Sequence, residues 1–176
     1  MSFEELAKDL ATGNMGGAQK TITFGRWADV ATWPIPSAVV GHEGESTGDV
    51  ELVDGASAFH VVCTEETVDV KINVVGEQDG RSQESILAFF TPKVRAKLLN
   101  FLNAIQNEEV FFIVPDNNGV TYLLGDAQRG ANIVTGEATT GTKFTDRNGA
   151  ATTFKYSAKK TLAYTGIDPA DVVVGP

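Results

Sequence analysis

The sequence contains few of the residues that enzymes use for metal binding and nucleophilic catalysis. It has one cysteine, Cys63, and two histidines, His42 and His60, in 176 residues. A single cysteine excludes an internal disulfide and any metal site built on a CxxC pair. Neither histidine belongs to a zinc motif such as HExxH, and no GxSxG elbow is present. The sequence therefore predicts no catalytic residues, no metal site and no cofactor, although a Ser–His–Asp triad assembled from distant segments stays an open alternative.

Long apolar runs are also missing. No stretch of 18 apolar residues occurs, so the sequence predicts no membrane-spanning helix. The first residues, MSFEELAKDL, are acidic and short of apolar side chains, which is unlike a secretory signal. We therefore expect no membrane among the partners of this protein.

Basic residues are absent between Arg26 and Lys71. The nine acids of that interval are Asp29, Glu43, Glu45, Asp49, Glu51, Asp54, Glu65, Glu66 and Asp69. A surface that grips nucleic acid would instead cluster Lys and Arg in order to displace counterions. The interval is therefore either a solvated acidic face, or a surface that repels DNA, or one that meets a basic partner.

What the sequence does contain is a series of β-prone segments. In TVDVKINVVG the alternation predicts a strand with an inner face of Val68, Val70, Ile72 and Val74. A second such run, FHVVCTEE, places Cys63 in register with apolar neighbours, which is typical of a buried thiol. The predicted fold is mainly β (α+β), an antiparallel β-sandwich or barrel with one flanking α-helix and extended terminal arms.

The flanking helix is predicted over residues 92–107. Thr91 suits the N-cap and Pro92 suits the first helical position. The apolar residues that recur at helical spacing, and that we expect to face inward, are Val94, Leu98, Phe101, Leu102 and Ile105.

Two tetrapeptides of the form DxNG stand at 116–119 and 146–149, each between β-prone segments. Neither continues with the glycine and the twelfth-position Glu of a calcium loop. Asn-Gly tolerates the positive φ that tight turns demand. Both are therefore predicted to be hairpin turns that bind no metal.

Three parts are predicted along the chain. Residues 1–19 form an N-terminal arm, in which a short helix with Phe3, Leu6 and Leu10 on one face precedes a glycine-rich hinge. Residues 20–165 form the β-sandwich domain, and residues 166–176 form a C-terminal tail with three successive valines. The polar segment 41–49 is predicted to be an exposed loop within the domain.

The order of segments in residues 86–157 resembles a known family. A helix (LLNFLNAIQ) leads into a strand, then DNNG, YLLG, a stretch rich in Gly and Thr, DRNG and a closing strand. This layout is similar to the tail-tube family of virion structural proteins from tailed bacteriophages. The resemblance implies a β-sandwich flanked by one helix that assembles into rings, commonly hexamers, which stack into a tube that conducts DNA.

The resemblance also implies where subunits meet. By position, the assembly surfaces would be the N-terminal arm, the 41–49 loop and the C-terminal tail. The interface residues so expected are Phe3, Leu6, Leu10, His42, Glu43, Glu45, Asp168, Val172, Val173 and Val174. Glu51 and Asp69 are expected to face the lumen and repel DNA, which passes without specific binding.

The expected function is that of a tail tube or tail ring subunit, made in the host cytoplasm and located in the virion, whose partners are itself and other tail proteins. A capsid accessory or head–tail connector protein is one alternative. A monomeric β-barrel that binds a small ligand, with Trp27 and Trp33 near its pocket, is an alternative of another class, and an uncharacterised hydrolase is a third.

Overall fold

The computed structural model describes residues 13–172, and within that range the protein is mainly β with one α-helix, as the sequence predicts for the domain. No helix in that range is long and apolar enough to span a membrane. The strands are β1 (Thr21–Arg26), β2 (Val30–Thr32), β3 (Ile35–Pro36), β4 (Ser46–Thr47), β5 (Glu51–Leu52), β6 (Phe59–Val62), β7 (Asp69–Val75), β8 (Ser82–Pro92), β9 (Val110–Pro115), β10 (Thr121–Leu124), β11 (Asn132–Thr139), β12 (Gly149–Ala158) and β13 (Leu162–Ala163). The helix α1 spans Ala96–Ala104, and a 3-10 turn spans Trp27–Asp29.

Two antiparallel sheets form the sandwich. One has five strands in the order β13-β10-β9-β1-β6, and the other has four in the order β11-β12-β8-β7. Apolar side chains from the two sheets share one core, in which the ring centroids of Phe112 and Phe154 lie 4.6 Å apart. Antiparallel sheets with facing apolar sides pack in this way because each must bury one face.

A second core covers the opposite face of the five-stranded sheet. Phe111, Ile113 and Leu123 pack there beneath Val50 and Tyr164. The short strand pair β2-β5 contributes Val30 and Leu52 to this outer layer. Both faces of the central strands are therefore buried, which accounts for the nearly continuous apolar sequence of β9.

The predicted start of the helix is wrong. Thr91 is buried in β8 and Pro92 is its last residue, where the two pair with Ala150 and Gly149 of β12. Lys93 then has φ 64°, and Arg95 is the N-cap without a side-chain capping bond. Pairing with β12 thus outweighs the local helix-start signal, since sheet hydrogen bonds and burial stabilise Thr91 in the strand.

The inward face of the helix is largely as predicted. Leu98 and Ile105 are buried, and Phe101 and Leu102 pack against the first core. Val94 precedes the helix and is only partly buried. Phe101 contacts Phe24 edge-on, with ring centroids 4.9 Å apart, and so joins α1 to the five-stranded sheet.

The predicted inner face of β7 holds for half of the strand. Val68, just before β7, is buried and Val70 packs against the core, whereas Ile72 and Val74 are exposed. All four follow the expected alternation, but the facing sheet does not cover the far half of β7. Periodicity identifies the face of a strand, and it carries no information on how far the opposite layer extends.

Candidate assembly surfaces

The first DxNG segment is the tight turn between β9 and β10, as predicted. One carboxylate oxygen of Asp116 accepts the backbone N–H groups of Asn118 and Val120, both at 2.8 Å. The Asp116 N–H donates to the Val120 carbonyl, and Gly119 has φ 87°, which few residues other than glycine adopt. Asp116 thus stabilises the turn through Oδ1 and its backbone N–H.

The asparagines of this turn hold the segment that precedes β1. Asn118 Oδ1 accepts the N–H of Met15 at 2.8 Å, and its Nδ2 donates to the Met15 carbonyl at 3.0 Å. Asn117 Nδ2 donates to the Gly16 carbonyl at 3.0 Å. The described end of the predicted arm is therefore fixed to the body by side-chain amides. Phe3, Leu6 and Leu10 lie outside the described residues.

The second DxNG segment is not a tight turn between paired strands, so that prediction is wrong. Residues 140–148 form the loop from β11 to β12, and Gly149 already belongs to β12. Asp146 stabilises the loop by accepting the N–H groups of Thr142 and Lys143, and these bonds lower the pKa of its carboxyl. The segment before this tetrapeptide, residues 141–145, forms no strand, because β12 pairs with residues 132–139 instead.

The C-terminal segment crosses the outer layer of the sandwich. The Tyr164 hydroxyl accepts the Val50 N–H and donates to the Ile167 carbonyl. The Ile167 N–H donates to Asp49 Oδ1 at 2.8 Å. Residues 166–172 of the predicted tail are thus bonded to the domain, and Val173 and Val174 lie outside the described residues.

Asp168 and Asp171 fasten this segment to β1 and β6. The Thr23 hydroxyl donates to Asp168 Oδ2 at 2.5 Å, and the Thr23 hydroxyl oxygen lies 3.0 Å from His60 Nδ1. Since the Thr23 proton is directed at Asp168, Nδ1 must donate to Thr23. His60 Nε2 faces Asp171 Oδ1 at 3.3 Å. His60 thus bridges Thr23 on β1 and Asp171 of the C-terminal segment.

Thr23, His60 and Asp168 are residue types that occur in nucleophile–base–acid triads. Here their hydrogen bonds hold the C-terminal segment to the sheet. Thr23 is 1% exposed, so no substrate can reach its hydroxyl. Its proton points to Asp168 and not to His60, the reverse of an activated nucleophile. Cys63 is no better a nucleophile, because burial raises the pKa of its thiol to about 12. Cys63 is thus the buried thiol that the sequence predicts.

The loop between β3 and β4, residues 37–45, presents apolar side chains at its tip. Val39 and Val40 are 61% and 75% exposed. His42 Nδ1 lies 3.0 Å from a carboxylate oxygen of Glu45, and the Glu45 carbonyl accepts the Ser37 N–H. The loop was predicted over residues 41–49, but it ends before β4, because Ser46 and Thr47 form that strand. Glu43 is partly buried in this loop.

The outer face of the four-stranded sheet carries paired charges. Lys71 lies 3.2 Å from Asp69 along β7, and Lys155 of β12 lies 2.5 Å from Glu84 of β8. Glu137 on β11 is exposed on the same face. The edges of this sheet are β7, with seven residues, and β11, with eight. Neither edge has a further strand partner within residues 13–172.

The acidic interval does not form one surface. Asp69 lies on the four-stranded sheet, whereas Glu51 lies on β5 in the outer layer and borders a groove of about 540 Å³. Glu65 pairs with Lys20 at 2.7 Å, which lowers the pKa of the glutamate. Glu66 has φ 61° in the adjoining turn. Glu51 and Asp69, expected together at a lumen, thus belong to different sheets.

The two tryptophans serve packing rather than a pocket. Trp33 meets Phe111 edge-on at 6.0 Å in the second core, and Trp27 Nε1 donates to the Asp126 carbonyl at 2.7 Å. An apolar groove of about 720 Å³ lies instead between β6 and α1 and is lined by Phe24, Phe59 and Phe101 among others.

The sequence reasoning missed four contact residues. Thr23 and Asp171 were not singled out, and Asn117 and Asn118 were assigned only to a turn. A signal existed for the asparagines, because DNNG offers two side-chain amides where a tight turn needs one. The bond from Thr23 to Asp168 spans 145 positions and has no local signature.

The described residues contain no group of three or more His, Cys, Asp or Glu that could hold a metal ion. Comparison of the chain with protein-family models, with curated proteins and with solved structures found no match.

Proposed function

We propose that this protein is a ring-forming subunit of a viral tail tube or tail ring. The observation that carries the proposal is the four-stranded sheet with two open edges of nearly equal length. An open edge exposes unpaired N–H and C=O groups and tends to pair with another strand. Pairing β7 of one copy with β11 of the next is a heterologous contact, which closes into a ring when the rotation between copies allows it.

The outer face of the same sheet would then line the channel. Two acids on this face are paired with bases, Asp69 with Lys71 and Glu84 with Lys155, and Glu137 adds a further acid. Unpaired Lys and Arg side chains would bind phosphates, and each such contact would hold the passing DNA. A lining whose lysines are paired with acids lets DNA pass without specific binding. Asp69 belongs to this proposed lining. Glu51 does not belong to it, because Glu51 lies in the outer layer.

The remaining surfaces suit contacts between stacked rings. Val39 and Val40 are exposed at the tip of a loop that also carries His42, Glu43 and Glu45. Exposed apolar side chains next to polar ones are typical of interaction sites. Phe3, Leu6 and Leu10, with a periodic apolar face in the sequence, remain the proposed contact residues of the N-terminal arm.

The test is the size of the purified protein by light scattering, with electron microscopy of any particle found. Val74 and Val134 are exposed, one on each open edge. Val74→Lys with Val134→Lys should therefore leave the fold intact and yield monomers, since lysine on an edge opposes strand pairing. The matched control is Phe144→Lys, on the exposed loop 140–148.

Three outcomes are informative. Rings lost in the edge variant and kept in the control support the proposal. Stacked rings indicate a tube, whereas single rings indicate a head–tail connector or a tail ring. A wild-type protein that stays monomeric at high concentration would overturn the ring proposal. It would favour the ligand-binding alternative, for which the 720 Å³ groove has the size of a small-molecule site.

A further inference from the structure

The groove between β6 and α1 has a floor of aromatic and aliphatic side chains. Phe24 of β1 contacts Phe101 of α1 edge-on, with ring centroids 4.9 Å apart, and the ring centroid of Phe59 on β6 lies 5.9 Å from that of Phe24. Leu98 and Ile105, on the inner face of the helix, complete this floor. The volume of about 720 Å³ lies within the range of small-molecule sites, so the groove can bury an apolar ligand of moderate size.

Part of this apolar lining is exposed to solvent. Phe59 is 57% exposed and Val62 is 58% exposed, and both border the groove. Covering such side chains removes apolar area from water, which favours the binding of any ligand that has an apolar surface.

The charged residues of the groove lie toward its two ends. At the C-terminal end of α1, Arg26 donates two hydrogen bonds to the Glu108 carboxylate, so these two charges offset each other. Asp29, three residues beyond Arg26, is the other acid of the lining. This end of the groove therefore has no surplus of positive charge.

The N-terminal end of α1 has positive charges that no acid offsets. Arg95 and Lys97 line the groove there, and both are exposed. Neither forms an ion pair within residues 13–172. They make a local positive region in a chain whose formal net charge is −9. Because an arginine guanidinium binds a carboxylate through two parallel N–H···O bonds, this end suits an anionic group.

The apolar floor begins beside these bases and continues along the helix. Leu98 follows Lys97 directly, and Ile105 lies about 10 Å further along the helix axis. Phe101 lies between them in the lining. A ligand with an anionic head and a medium-length alkyl chain would place each part against the matching part of the groove.

We infer that the groove between β6 and α1 binds an alkyl carboxylate, with its carboxylate at Arg95 and Lys97 and its alkyl chain over Phe101 toward Ile105. An alkyl cation in the same place would be repelled by the two bases. The groove lies on neither open edge of the four-stranded sheet. Binding is therefore independent of ring assembly, and it goes beyond the function proposed above.

Isothermal titration calorimetry with decanoate, below its micelle concentration, tests the inference on the full chain. Wild type should bind decanoate saturably, and octanoate should bind about tenfold more weakly because it buries two fewer CH₂ groups. Decyltrimethylammonium, with a chain of equal length, is the control for the head group and should give no saturable heat. Absence of saturable decanoate binding, or equal binding of the two head groups, would overturn the inference.

Charge reversal locates the carboxylate. Arg95→Glu with Lys97→Glu should weaken decanoate binding at least about tenfold and leave the fold intact, since both side chains are exposed. Lys159→Glu with Lys160→Glu is the matched control, because it changes the net charge equally at a different groove, beside β13. This control should bind decanoate as wild type does. Equal losses in the two variants would mean that net charge alone governs binding, and would overturn the inference.

The edge variant Val74→Lys with Val134→Lys separates this inference from ring assembly. Its groove is unchanged, because both substitutions lie outside the lining, so it should retain decanoate binding whatever its assembly state. Loss of decanoate binding in the edge variant would place the ligand at a contact between copies, which contradicts a site within one chain.

Discussion

At the scale of residues, side-chain amides and carboxylates fasten both ends of the described chain. Asn118 holds the segment before β1, while Asp168 and Asp171 hold the segment after β13. Local patterns could identify Asp116 and Gly119 as turn residues, because their roles involve neighbours within four positions. They could not identify the partners of Asn118 and Asp168, which are more than 100 positions away.

Asn118→Ala should loosen the segment before β1 while leaving the turn intact. The Asp116 carboxylate still accepts the two turn N–H groups, whereas the bonds to Met15 and Asn14 are lost. We expect a loss of about 1 kcal/mol in the free energy of unfolding, measured by urea denaturation, because these bonds are exposed to solvent.

Asn118→Asp is the matched variant for this position. It keeps the acceptor for the Met15 N–H and loses the donor, so its stability should fall between wild type and Asn118→Ala. Exchange of the Met15 amide should increase in Asn118→Ala and change less in Asn118→Asp. If neither variant alters that exchange rate, Asn118 does not hold the segment.

At the scale of elements, the sequence predicts strands and faces better than boundaries. β9 and β10 occur where expected, because their apolar runs and their turn are local features. The start of α1 was misplaced since Thr91 and Pro92 are paired with β12, about 60 positions away. The exposure of Ile72 and Val74 was missed for a related reason, as it depends on the extent of the opposite sheet.

Leu98→Ala tests the packing of α1 on the sandwich. Leu98 is 5% exposed and belongs to the inner face of the helix, so removing its side chain should cost about 2–5 kcal/mol of unfolding free energy. Leu99→Ala is the control, because Leu99 is 46% exposed on the same turn. Thermal and urea unfolding should show a large loss for Leu98→Ala only, and equal losses would contradict the orientation of the helix.

At the scale of the whole molecule, acids that are neighbours in the sequence lie in different layers of the fold. The acids between Arg26 and Lys71 form one interval in the sequence, yet Asp69 lies on the four-stranded sheet while Glu51 and Asp54 border the outer groove. Sequence composition shows that this interval is acidic, but it does not show on which faces of the fold its acids lie. In the proposed ring, the face with paired charges meets the DNA.

Asp69→Lys with Glu84→Lys places an excess of positive charge on this face. In the assembled protein the variant should bind linear duplex DNA at low salt, with an affinity that falls steeply as salt increases, because released counterions drive such binding. Wild type should show no binding under the same conditions. Electrophoretic mobility shift over a salt series measures both.

Glu51→Lys with Asp54→Lys is the control, because it changes the net charge equally but alters the outer layer. If the four-stranded sheet lines the channel, this control should bind DNA much more weakly than Asp69→Lys with Glu84→Lys, and its complexes should show DNA outside the particles in electron micrographs. Equal binding by the two variants would mean that net charge alone governs contact with DNA. In that case the four-stranded sheet has no special place in the assembly, and the channel lining must be sought on another face.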